Sequence, residues 1–158
     1  MPAPDRVAYG ERQARLLDAL LRGGDPPEGF AVAQAAASGR SLRHKRAGAV
    51  ARACPALALD LGETFAARFD AYARAADAPA SGDPLEDGLV FARSAQCGAR
   101  LGDDARAELL LARAALRRRG LFVSAARLRR PHPRLLVVVR VPWLGPHHAS
   151  LALRRSRT

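Results

Sequence analysis

Residue types able to carry chemistry are few in this 158-residue chain, and their spacing suits it poorly. His147-His148, with His132 nearby in sequence, is the one grouping that suggests a metal. Neighbouring residues on a strand project to opposite faces, so these two imidazoles could share a cation only from a turn. Pro146 immediately before them points to a solvated turn instead. Cys54 and Cys97 could form a redox or metal pair, but without a Cys-x-x-Cys motif they read as small buried residues of a reduced protein. Asp103-Asp104 is better explained by helix capping than by acid–base work. The chain has no glycine-rich phosphate loop, no His-Glu-x-x-His and no Gly-x-Ser-x-Gly. No catalytic residue, metal ligand or cofactor is assigned, and an enzyme acting alone is not expected.

Charge is more informative. Lys+Arg number 26 against 15 Asp+Glu, a net charge of +11. Residues 1–114 hold 15 basic and 15 acidic side chains, whereas residues 115–158 hold 11 arginines and no acid. Lys45 is the sole lysine, so a codon preference for arginine accounts for Arg over Lys but not for the missing acids. A segregated charge creates a local positive potential that steers an anionic partner, acidic peptide or phosphate backbone alike; the plain alternative is a solvated basic tail.

These residues must be positioned by helices first and strands later. Val7, Leu16, Leu17, Leu20 and Leu21 predict a helix over Asp5–Arg22, stopped by Gly23-Gly24-Asp25-Pro26-Pro27. An Ala-rich stretch, Ala31–Ala37, is expected to break softly at Ser38-Gly39 before a second helical run, Leu42–Ala53. Pro55 suits the first turn of a short helix ending at Gly62. Phe65, Phe69 and Tyr72 in Glu63–Arg74 form one aromatic stripe, which reads as core. Asp83-Pro84 predicts an N-cap and first turn for a helix ending near Cys97-Gly98, with Glu86 and Asp87 favourably placed near its positive end. A further helix is expected from Asp103 to Gly120. Beyond it the period shifts towards two, over Leu121–Arg130, Arg134–Val141 and a third strand around Leu151 and Leu153. The expected fold is α+β, an N-terminal helical bundle followed by a small C-terminal antiparallel β-sheet. It divides into a helical region 1–78, a helical pair 79–120 and a basic β region 121–158 within one compact unit. So small a sheet must pack on the helices before it.

No apolar run reaches the roughly 20 residues that span a bilayer. The start, Met-Pro-Ala-Pro-Asp-Arg, has neither the basic cluster nor the apolar stretch of a secretory signal. A cytoplasmic location with no membrane partner is expected.

The stretch LRHKRAGAVARACPAL at 42–57, followed by Leu61-Gly62-Glu63-Thr64-Phe65, Phe69 and Tyr72, resembles a family of small actinobacterial domains. These occur fused to, or encoded beside, multinuclear non-haem iron-dependent oxidases of the methanobactin-synthase type. Pro84-Leu85-Glu86-Asp87-Gly88-Leu89-Val90-Phe91-Ala92 and the closing Arg119-Gly120-Leu121-Phe122 are similar to the same family. More distantly, these segments are similar to the methanobactin partner subunit and to relatives of it described as DNA-binding domains. The likeness spans about residues 8–145.

The resemblance implies a non-catalytic partner: the oxidase modifies a precursor peptide and holds the iron, while the partner contacts the oxidase through its helices and the peptide leader through its sheet. A sheet edge can pair with an extended peptide, and neighbouring arginines select acidic side chains by charge-assisted contacts. Pro131, Pro133, Pro142 and the arginines could equally shield that edge. On this reading Arg127, Arg129, Arg134, Val137, Val139 and Arg140 engage an acidic leader, and Arg43, Lys45 and Arg46 face the oxidase. The competing expectation is a nucleic-acid-binding module using the same arginines, although no basic recognition helix is evident and Trp143 is the one aromatic available for stacking.

Overall fold

Helical spacing in the first two thirds of the chain and alternation in the last third are realised as helices followed by a sheet. The computed structural model describes residues 6–76, 79, 81–98, 100–117, 122–128, 134–141 and 145–152, with Arg134 and 145–152 described by their backbone. Within them lie α1 (Arg6–Arg22), α2 (Val32–Ala53), α3 (Pro55–Leu61), a 3-10 turn (Gly62–Thr64), α4 (Phe65–Ala75), α5 (Pro84–Arg93), α6 (Asp103–Leu116) and strands β1 (Phe122–Leu128), β2 (Arg134–Val141) and β3 (Gly145–Ala152). The fold is α+β, as the sequence leads one to expect. None of these helices is long and apolar enough to cross a membrane.

The expected break at Ser38-Gly39 is absent, and α2 runs unbroken from Val32 to Ala53. Gly39 serves a different purpose. A Cβ there would collide with the Leu20 carbonyl oxygen of α1, so the missing side chain lets the two helices approach backbone to backbone. α2 then packs against α1, α3, α4 and α5. Its buried positions, Ala35, Gly39, Arg43, Ala47 and Val50, lie at helical spacing on one stripe.

Four helix ends are fixed by specific groups. Pro55 opens α3 in the first turn, as its missing N–H allows. Asp83 caps α5, accepting a hydrogen bond from Leu85 N at 2.8 Å. That helix ends at Arg93 rather than near Cys97-Gly98, because Ser94 Oγ and Ser94 N both donate to Phe91 O and close its last turn. At α6 the N-cap is Gly102, not Asp103. The reason is a side chain from another helix: Asp60 Oδ2 of α3 accepts from Gly102 N at 2.7 Å. In return, Glu108 of α6 accepts from Ala56 N at 3.0 Å and Leu57 N at 2.9 Å. The two helices therefore cap each other's N-termini, satisfying amides that would otherwise lack partners.

Two apolar clusters result. The larger joins Val50, Cys54, Leu57, Phe65, Phe69, Tyr72 and Phe91 among the helices, with the expected aromatic stripe at its centre. Phe69 packs edge-on to Phe91 at 5.2 Å and to Tyr72 at 5.4 Å between ring centroids. The smaller joins Ala114 to Phe122, Leu128, Leu136 and Val138 of the sheet. α6 is the wall they share: Leu109 packs on the first cluster, and Ala107, Leu110 and Leu111 pack on the second.

The close contact at Gly39 makes a paired prediction. Gly39→Ala should destabilise the fold by about 1–3 kcal/mol through overpacking. Gly10→Ala, in open space within α1, should be neutral or stabilising by up to about 1 kcal/mol. Urea unfolding midpoints of the two variants should move in opposite directions from wild type, or for Gly10→Ala stay level.

Candidate functional site

The three strands form an antiparallel sheet in the order β1-β2-β3, so β1 and β3 are its edges. Alternation sorts β1 and β2 between two faces. Phe122, Leu128, Leu136 and Val138 are buried against α6. Val123, Ala125 and Arg127 are exposed on the opposite face. The register pairs Val123 with Val139, Ala125 with Val137 and Arg127 with Leu135. The outer face of these two strands is therefore almost wholly apolar, with Val141 continuing the row and Val123 60% exposed.

Three of the sequence-predicted binding residues, Arg127, Val137 and Val139, meet on this outer face. Arg140 does not join them. It stands opposite Phe122 in the register, on the helix-facing side, and its Nη1 donates to Ala114 O at 2.9 Å and Ala115 O at 2.5 Å. Those carbonyls belong to the open end of α6, where a cation also complements the helix dipole. Arg117 reinforces the joint, its guanidinium lying 5.7 Å from the centroid of the Phe122 ring. Arg140 is thus a structural tie between sheet and helix. Arg134 begins β2 opposite Leu128 and is placed by backbone only. Arg129, Pro131, His132, Pro133, Pro142 and Trp143 lie outside the described residues. His147 and His148 are consecutive positions of β3, in register with Val139 and Val138, rather than residues of a turn.

The second predicted group is scattered by burial. Lys45 is exposed, but Arg43 and Arg46 point into the protein. Arg43 is 4% exposed. Its Nε donates to Asp70 Oδ1 at 2.7 Å and its Nη1 to Leu20 O and Leu21 O, so it ties the end of α1 to α4. Partial burial pushes the Asp70 carboxyl pKa up, but hydrogen bonds and charge from Arg43 and Arg74 more than offset this and leave it below its ordinary value. Asp70 therefore contributes stability at neutral pH that is lost as pH falls through its depressed pKa.

Arg46 and Asp87 form a half-hidden pair, with Nε to Oδ2 at 2.5 Å and Nη2 to Oδ1 at 2.8 Å. Their side chains are only 17% and 5% exposed. Tyr72 donates to the same carboxylate at 2.9 Å, and the Arg46 guanidinium lies over the Phe69 and Tyr72 rings. Burial, then the hydrogen bond to Asp87, pushes the Tyr72 phenol up to about 12. Asp87 lies in the first turn of α5, as its place near the positive helix end leads one to expect, and it is also the anchor of this network. An interface role for Arg43 and Arg46 is thus replaced by one inside the fold, because α2 lies at the centre of the bundle and these two arginines, unlike exposed Arg40 and Arg52, reach neighbouring helices.

Neither cysteine resembles a reactive thiol. Both are buried, and desolvation followed by the charges of Glu108 and Asp83 pushes Cys54 up to about 11. Among the described residues no group of three His, Cys, Asp or Glu could hold a metal. A cleft of about 940 Å³ beside the α3–α6 joint is lined by Asp60, Asp103 and Asp104 but also Arg100 and Arg106. Its charges are mixed, and Asp60 is committed to the α6 cap.

The family model described as "SCO6045-like, C-terminal domain" matches residues 10–97, more than half of the chain and nearly all of α1 to α5. No curated protein and no solved structure matches the chain.

The buried network predicts a large effect from one carboxylate. Asp87→Ala should destabilise the fold by about 3–5 kcal/mol, because it strands the Arg46 charge. In the wild type, Tyr72 should resist ionisation until about pH 12 in a spectrophotometric titration. Its contribution to stability is complete below its ordinary value of 10.0 and fades as pH rises towards 12, so alkaline unfolding should fall in that window.

Proposed function

The chain belongs to the family of SCO6045-like C-terminal domains, and we propose that it is a non-catalytic, cytoplasmic partner subunit. On this reading it holds the acidic leader of a precursor peptide on its C-terminal sheet while a multinuclear iron-dependent oxidase performs the chemistry. One observation carries the reading. Among the described residues β1 is an open sheet edge of seven residues with a single charge, Arg127, inside a segment that holds 11 arginines and no acid. An edge exposes backbone N–H and C=O groups that pair with an extended peptide, and sheets that avoid such pairing place proline, several charges or a bulge there. β1 has none of these guards beyond Arg127. β3 carries Pro146, which lacks an N–H, so β1 is the better edge.

Division of labour follows from the chemistry. Backbone pairing at β1 supplies register without reading sequence. Arg127, supported by the positive potential of the region, draws carboxylates of the leader and disfavours basic peptides. Val137 and Val139 extend the apolar surface beside that edge. The resemblance to domains encoded beside iron oxidases supports the same assignment, and Lys45 is the member of the predicted oxidase-facing trio that remains available at the surface.

A fluorescein-labelled peptide of alternating valine and glutamate serves as the probe, with anisotropy as the readout. Wild-type protein should bind it, and Arg127→Glu should weaken binding at least about tenfold, the loss of one charge-assisted contact plus a new repulsion. Short duplex DNA should not displace the peptide. Unchanged affinity in Arg127→Glu, or full displacement by DNA, would contradict the proposal and favour a nucleic-acid-binding module.

A further inference from the structure

Both faces of β1 and β2 are largely apolar, and among the described residues one of them is covered by a helix. Phe122, Leu128, Leu136 and Val138 rest on α6. On the other side Val123 and Ala125 are exposed, beside Val137, Val139 and Val141, with Arg127 at the margin. β2 reads RLLVVVRV, a nearly continuous apolar run. That pattern characterises strands covered on both faces; a strand with one solvated face alternates apolar and polar residues. A helix is the cover this sheet already uses on its inner side, through Ala107, Leu110 and Leu111 of α6.

We infer that the outer face of the sheet is a docking surface for an amphipathic helix of another protein, whose apolar stripe is flanked by Asp and Glu. Charge complementarity identifies the occupant. Among the described residues the outer face of β1 and β2 carries one charge, Arg127, and it belongs to a segment with 11 arginines and no acid. A helix with carboxylates beside its stripe therefore gains at the Arg127 margin and from the positive potential of the segment. A second copy of this chain is disfavoured by the same count, since pairing two such faces would oppose one arginine-only segment to another. The inference extends the partner-subunit reading from the sheet edge to the sheet face, but it does not require the other protein to be an oxidase. Edge and face use different backbone and side-chain surfaces, the plane of the sheet for a peptide on β1 and the side chains above it for a helix, and they overlap at Arg127, Val137 and Val139.

The test places the photo-crosslinking residue p-benzoylphenylalanine at Val123, and separately at exposed Leu59 on α3 as a control, in the full chain expressed in its native host. Crosslinked residues on the other molecule are then mapped, and the identified protein is purified for binding measurements. The expected result is one protein crosslinked from Val123 and not from Leu59, at residues spaced three or four apart on a helix with flanking carboxylates. Arg127→Glu should weaken that complex at least about tenfold, and charge reversal of a facing carboxylate should restore it. Val123→Asp, at a position 60% exposed, should do the same without unfolding the chain. Crosslinks to a second copy, to nucleic acid, within the same chain or to no single protein would each overturn the inference. So would a mapped contact lacking carboxylates, or full affinity in both variants. If the mapped helix belongs to a protein without iron, the docking surface stands and the oxidase partner does not.

Discussion

The carboxylate of Asp87 is the point at which the helical platform is held together. It accepts from Arg46 of α2 and Tyr72 of α4 while belonging to α5, so three helices meet at one side chain. A buried charge of this kind is costly unless every lone pair is used, and here two residues on two helices satisfy it. The aromatic rings beneath Arg46 complete the arrangement, since the guanidinium lies over Phe69 and Tyr72 and those rings are the centre of the larger core. Misplacing any one of the three helices would break a charged contact as well as apolar packing.

That rigidity reaches the sheet through α6. The helix is fixed to α3 by reciprocal caps, Glu108 on one terminus and Asp60 on the other, and its opposite flank is the floor on which the sheet rests. Arg140 and Arg117 then fasten the sheet to the end of the same helix. A three-stranded sheet is marginal by itself. Held this way, it has a β1 edge and an outer face covered by no helix among the described residues. The helical part is electrically balanced and the C-terminal part is not, which on the proposed reading makes the bundle a mount and the sheet the surface offered to a partner.

The legible part of the structure was the part set by local periodicity. Helix spacing, the Asp83-Pro84 start, Pro55 at the head of α3, the aromatic stripe and the β2 boundaries follow from residue order and were read from it. Gly39 was read as a break because a glycine in a helix is locally weakening, while its purpose is a tertiary contact with Leu20 that no local rule contains. Arg43 is the more instructive case. Its charge suggests the polar side of the helix, whereas the structure sets it on the same buried stripe as Ala35, Gly39, Ala47 and Val50. The acids that receive it and Arg46 are 27 and 41 residues away, beyond the reach of helical spacing. On the outer face of the sheet, Arg127, Val137 and Val139, which the resemblance suggests for peptide binding, come together with Val123 and Ala125, which it does not single out. Alternation in β1 against the unbroken apolar run of β2 was the available signal. Arg140 looked equivalent to Arg127, and only the register, which sets it opposite Phe122, separates them.

Central to this account is that the chain works as the protein-binding half of a complex. The most direct test is native mass spectrometry of the tagged, full-length chain purified from its own host after nuclease treatment, with iron measured in the same sample. The account predicts a stoichiometric complex with an iron-containing oxidase that persists through nuclease digestion. A chain recovered without any protein partner, or one that retains nucleic acid whenever nuclease is omitted, would contradict it.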